Sequence, residues 1–234
     1  MGAIVLSSTA HAAGAEPASW DRPPPRAVDS TLPPAARGFQ AALRSGLQLP
    51  WGEVTDTEGD EISARYGWQV PIVIDVGFKL TKPWFIGAYG GVGYGSIGSG
   101  NDNVAEQACA APGVTCSTLS YQLGFQLQYH VGPSDRLNPW FGLGGGYEWF
   151  RQELRSSDYT EEQETSGLAL LKVLLGLDYR YRELFGFGPV IELSLGRFQA
   201  TRTFVDGERT HEGPVEPGAW HGFLTLGARV VALP

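Results

Sequence analysis

Long apolar runs are missing from this 234-residue sequence. A membrane helix needs ~18 or more consecutive apolar residues. The best candidates, residues 167–171 and 173–177, are broken by Lys172 and Asp178. Helical membrane spans are thereby excluded, whereas a membrane barrel is not, because its signal is alternation. Charge is scarce too, at 18% of residues against a usual ~25%. The net charge of −8 excludes a nucleic-acid partner, which calls for a basic surface. Only Cys109 and Cys116 are cysteines. They lack the Cys or His neighbours of a metal site, so they read as one disulfide closing a small loop in an oxidising compartment.

Glycine, by contrast, is abundant, at 32 of 234 residues, roughly twice its usual share. Hydrophobicity alternates with a period of two, the signature of strands with one apolar and one polar face. In SYQLGFQLQYHV (120–131), Tyr121, Leu123, Phe125, Leu127, Tyr129 and Val131 oppose Gln122, Gln126, Gln128 and His130. Such a run is about twice the usual strand length. The pattern predicts eight strands, near 37–49, 68–80, 84–95, 119–131, 139–152, 166–182, 187–198 and 219–233. None holds the spacing of three and four that an amphipathic helix needs.

Ahead of them, residues 1–15 read as the remnant of an export signal with small-residue cleavage sites. Residues 16–36 form a Pro-rich linker. Residues 37–234 are the expected barrel.

Between strands, short links near 81–83, 132–138 and 183–186 alternate with long ones near 50–67, 96–117, 153–165 and 199–218. A soluble sandwich gives no reason for this alternation, whereas an outer-membrane barrel has short periplasmic turns and long extracellular loops. The apolar parity often ends in an aromatic: Trp84, Tyr94, Tyr121, Tyr129, Trp149, Tyr179 and Tyr181. Such rings form interfacial girdles. The polar parity supplies an expected lumen network of Arg44, Asp75, Lys79, Gln122, Gln126, Gln128, Glu148, Lys172, Asp178, Arg180, Glu192 and Arg229. Inside an eight-stranded barrel, side chains fill the interior, so enclosed charges must be paired.

These eight strands, with YGGVGYG in the third, PWFGLGGGYEW opening the fifth and LTLGARV near the end, resemble the small eight-stranded outer-membrane β-barrel superfamily. Its members include the transmembrane domain of outer membrane protein A and the opacity-protein and OmpW-like barrels. The resemblance covers residues 37–233 and implies an all-β, antiparallel, up-and-down transmembrane barrel in the outer membrane of a Gram-negative bacterium. It further implies the barrel assembly machinery and outer-membrane lipid or lipopolysaccharide as partners, with long loops free to meet extracellular ligands. The role it suggests is non-enzymatic, structural or surface-interacting. A narrow solute channel and a soluble calyx holding a lipophile are the alternatives.

Catalytic chemistry is hard to assemble from these residues. His11, His130, His211 and His221 are the only histidines. His130 with Ser134 suggests a lipid hydrolase, but Ser134 falls in a short turn, on the side away from outer-leaflet lipid. The cluster TDTEGDE (55–61) spaces Asp56, Glu58 and Asp60 like calcium ligands, yet Glu61 and Gly67 stand where that loop needs Gly and Glu. No cofactor or metal is expected. The glycines of GGVG (90–93) and GLGGG (142–146) either ease packing and curvature or leave room beside Gln122, Gln126 and Gln128.

Overall fold

The computed structural model describes residues 37–55, 61–98, 104–182, 184–216 and 218–232. The export segment, the Pro-rich linker and Asp56, Glu58 and Asp60 lie outside them. Nine strands occur among these residues: β1 (Gly38–Gly52), β2 (Tyr66–Lys79), β3 (Trp84–Ile97), β4 (Thr115–His130), β5 (Leu137–Arg155), β6 (Thr160–Arg182), β7 (Phe185–Val205), β8 (Glu208–Pro214) and β9 (Trp220–Ala232). Two short helices, α1 (Ile62–Arg65) and α2 (Val104–Cys109), sit in the first two long connections. Cys109 and Cys116 are joined in a disulfide that ties α2 to the start of β4.

Eight strands close into one antiparallel ring. Each of β1 to β6 pairs with the next, β6 pairs with β7, β7 with β9 and β9 with β1. Closure leaves the ring without an edge, so its backbone groups are satisfied within the sheet, as hydrocarbon demands.

Side chains of the apolar parity point outward: Phe39, Ile74, Phe78, Ile86, Leu123, Phe125, Leu143, Leu175, Leu193 and Val230 are all exposed, Phe125 by 75%. A calyx that hides its apolar set inside does not fit this arrangement. The barrel is therefore a membrane-spanning one, its apolar belt turned to lipid. The aromatics expected at the interfaces lie on this outer surface, some of them in groups across or along strands. Trp84 and Tyr129 are 4.9 Å apart and Tyr129 and Phe141 5.3 Å apart at the short-turn end. Tyr147 and Trp149, 4.5 Å apart, lie at the other end.

Three expectations need correction. Residues 153–165 and 199–218 are largely strand rather than loop: β5 runs to Arg155, β6 starts at Thr160, and β7 continues to Val205. β8 then folds back on β7 alone, from Ala200↔Pro214 to Val205↔Glu208. Above the bilayer both faces of a strand can be polar, so the alternation fades while the pairing goes on. The turn itself is Asp206-Gly207, with φ of 51° and 82°, the double positive φ of a tight hairpin. Finally, Ala169, which by sequence alternation shares the apolar parity of Leu171, Val173 and Leu175, points inward rather than out. The register between β5 and β6 slips between Gly144 and Gly146, and Leu170 and Leu171 both become exposed while Ala169 is buried. A bulge of this kind resets parity beyond it.

Candidate functional site

The lumen is built by the polar parity, which closure turns inward. Its middle is a four-charge cluster. Arg44 donates to both oxygens of Asp75, from Nε at 2.8 Å and Nη2 at 2.9 Å, and from Nη1 to Glu192. Lys172 Nζ lies 2.6 Å from the other Glu192 oxygen and also donates to Gln122. Two cations thus face two anions, all buried, a geometry in which unpaired charge would be costly. Lys172 additionally stands 4.7 Å above the ring of Tyr89.

Toward the short-turn end, Arg229 lies 3.6 Å from Asp178 and 4.3 Å over the Trp140 ring. Lys79, Gln128 and Arg180 are buried at the same end. His130 Nδ1 is 2.7 Å from the Asn138 side-chain amide, so its partner is Asn138 rather than Ser134. Toward the other end, Glu148 meets His221 at 2.5 Å, and the imidazole stacks on Phe198 at 3.7 Å. Gln126 is buried beneath Gly144. Gln69 accepts from Ser120 at 2.7 Å. Every residue of the expected network is thus inside the tube, though Gln122 is only half-buried.

Aromatics complete the filling, and these the alternation concealed. A Cβ on Gly124 or Gly146 would lie 2.5 or 2.7 Å from the Tyr89 hydroxyl, so missing side chains on two strands make room for a ring from a third. Phe85 stands likewise over Gly77 and Gly87, and Trp140 over Gly176. These five glycines therefore serve packing. What space remains beside Arg44, Gln122 and Glu192 is a void of about 10 Å³, roughly one water.

An apolar cap closes the end with the long connections. Phe150, Phe198 and Phe223 project inward from β5, β7 and β9, with Phe150 stacked on Phe223 at 4.9 Å and edge-on to Phe198 at 5.7 Å. Tyr66, Ile62 from α1, Val54 and Val215 cover them, all buried. Aromatics on the polar parity at one height of three strands were the available signal. Above the cap, β4 to β8 continue as an open sheet.

No protein-family model and no curated protein sequence matches the chain. Solved structures do. The fold is similar to that of a major outer membrane protein from Thermus thermophilus, with a TM-score of 0.50, 14% identity and coverage of 84% of this chain and 99% of that one. Also similar are OprG from Pseudomonas aeruginosa (TM-score 0.44, 13% identity, 83% and 97% covered) and Neisserial surface protein A (0.41, 14%, 83% and 98%). The chain has the fold of the outer-membrane β-barrels.

In such a barrel the short turns are periplasmic and the long connections extracellular. The open sheet above the cap is built from the ends of those strands that carry the long connections. On its outer face, register aligns Arg151, Glu164, Arg202 and Glu212 across four strands. Arg151 bonds Glu164 at 2.6 Å and Arg202 bonds Glu212 at 2.9 Å. The hydrogen bond from Arg202, helped by Arg209, holds the Glu212 carboxyl below its ordinary value. A depressed carboxylate contributes stability above its unfolded value, ~4.3, and loses it as pH falls through the lower folded one. Amide exchange at the β7–β8 tip should accordingly stay flat from neutral pH down to the carboxylate range, after its intrinsic pH dependence is removed, and rise below it. A tip equally protected at pH 3 and pH 7 would show that this ladder does not hold it.

Among the described residues, no cluster of three or more His, Cys, Asp or Glu side chains is placed to hold a metal ion.

Proposed function

We propose that the protein is a non-enzymatic barrel of the Gram-negative outer membrane that strengthens the envelope and presents an extracellular sheet for contact. The observation that carries this reading is the contrast along the barrel axis. Buried charges and rings occupy the lumen among the described residues, whereas β4 to β8 extend beyond the cap as a more exposed polar sheet. A narrow channel needs a connected water path, and the void beside Arg44 offers only about 10 Å³ toward one. Lipid or lipopolysaccharide against the apolar belt, and the barrel assembly machinery during insertion, are the partners this reading requires.

Planar-bilayer recording of the refolded barrel tests it. A flat baseline is expected, and reproducible discrete steps would replace this reading by the channel. Location is checked separately: the protein should fractionate with outer membranes and migrate differently on gels before and after boiling.

A further inference from the structure

We propose that the cleft above the apolar cap binds one neutral sugar ring. The proposal deepens the surface-presenting reading above and rests on it.

The cleft has a volume of about 270 Å³, slightly below the ~300–1,000 Å³ typical of drug-sized ligands, which suits a single hexose. Its wall is the inner face of the extracellular sheet. There, register places Gln163 beside Thr203 and Thr203 beside His211, with Thr165 beside Thr201 in the next row. Its floor includes Val54 and Val215, the top of the cap. Hydroxyl, amide and imidazole groups both donate and accept, as the hydroxyls of a polyol do. The valines offer an apolar surface to the C–H face of a ring.

One observation points to a ligand directly. Thr165 is 1% exposed, lines the cleft, and its hydroxyl bonds to no group among the described residues. A buried hydroxyl without a partner is unfavourable, and a sugar hydroxyl would satisfy it. An anionic ligand suits the site less well. Arg65 stands at the cleft, but Glu216 stands there too, and the chain carries a net charge of −8 that disfavours anions at its surface.

The sugar could belong to a soluble glycan or to the membrane's own lipopolysaccharide, and the experiment separates the two. The full chain, folded in an alkylphosphocholine micelle so that no detergent sugar competes, is titrated by NMR with D-glucose, D-galactose, N-acetylglucosamine and lipid-free lipopolysaccharide core oligosaccharide. Saturable shifts are expected at the amides of Thr165, Thr201 and Thr203, at millimolar concentration. Saturation by a free hexose indicates the soluble source, and saturation by the core oligosaccharide alone indicates the membrane's glycan. Thr165→Val keeps the shape and removes the hydroxyl, so binding should weaken at least tenfold while the barrel stays as stable as wild type. Gln163→Ala, on the more open part of the wall, should weaken it as well.

Absence of saturable shifts at these residues with all four probes overturns the site, as does unchanged affinity in both variants. Maleimide labelling of a Ser156→Cys variant in intact cells keeps the two readings apart. Labelling without sugar binding removes the sugar site alone, whereas absence of labelling removes the surface-presenting reading beneath it.

Discussion

Arg44→Leu is expected to lower the unfolding free energy of the barrel by about 3–5 kcal/mol, the usual cost of breaking a buried ion pair from one side. Arg44 makes two bonds to Asp75 and one to Glu192. Without it, Glu192 keeps Lys172, but Asp75, which is 0% exposed, retains a charge with no cation bonded to it. Asp75 therefore bears most of the cost. Removing both partners, in Arg44→Leu with Asp75→Leu, should recover much of the loss, since a buried pair replaced by apolar groups is often neutral. Urea titration read by the mobility difference between folded and unfolded chains measures all three variants, and the double-mutant cycle isolates the coupling. Arg229→Leu should destabilise less, because Arg229 stands 3.6 Å from Asp178 rather than in bonding contact. Coincident transitions for wild type and Arg44→Leu would mean that this cluster does not hold the tube together.

A second large effect is expected at the opposite kind of contact, where a side chain is added. A Cβ on Gly176 would lie 2.4 Å from two atoms of the Trp140 indole and 2.6 Å from its Nε1. The ring cannot retreat easily: Arg229 covers one face at 4.3 Å, and Leu174 and Val190 pack with it. Gly176→Ala should thus cost about 1–3 kcal/mol by overpacking. Trp140→Leu alone should cost a comparable or larger amount through the cavity it leaves. In the double variant the methyl group and the smaller side chain fit together, so the combined loss should fall short of the sum by at least about 0.5 kcal/mol, a coupling expected of touching residues. Strict additivity would show that Trp140 and Gly176 do not share the space.

Much of this architecture is legible in the amino-acid sequence. The Leu123-Phe125-Leu127 and Gln126-Gln128 parities settle which face each residue takes, because a strand has no choice about period. The four charges of the central cluster could be put on one face for the same reason. Less legible were features that break or outlast the alternation. Ala169 turned inward at a bulge that no local composition announced. The outer reaches of β5, β6 and β7 left no amphipathic trace because water lies on both sides there. Asp206-Gly207 was a visible turn signal inside a stretch taken for loop. Phe150, Phe198 and Phe223 lay on the polar parity, where a rule that sends apolar groups to lipid misplaces them. They face inward and pack on one another beneath Tyr66, Ile62, Val54 and Val215, which closes that end of the tube.

The sequence by itself determined the sidedness of the wall: which residues meet lipid, which look inward, and that the strands are long enough to cross. Only the tertiary structure decided which inward groups touch. Arg44 finds Asp75 31 residues away and Glu192 148 residues away, and Thr165 and Val54 line one cleft. Sidedness is local, since it follows from the backbone repeat of each strand. Contacts across a lumen depend on how far each strand is staggered against the next when the ring closes, a property of all eight strands together and of no single segment.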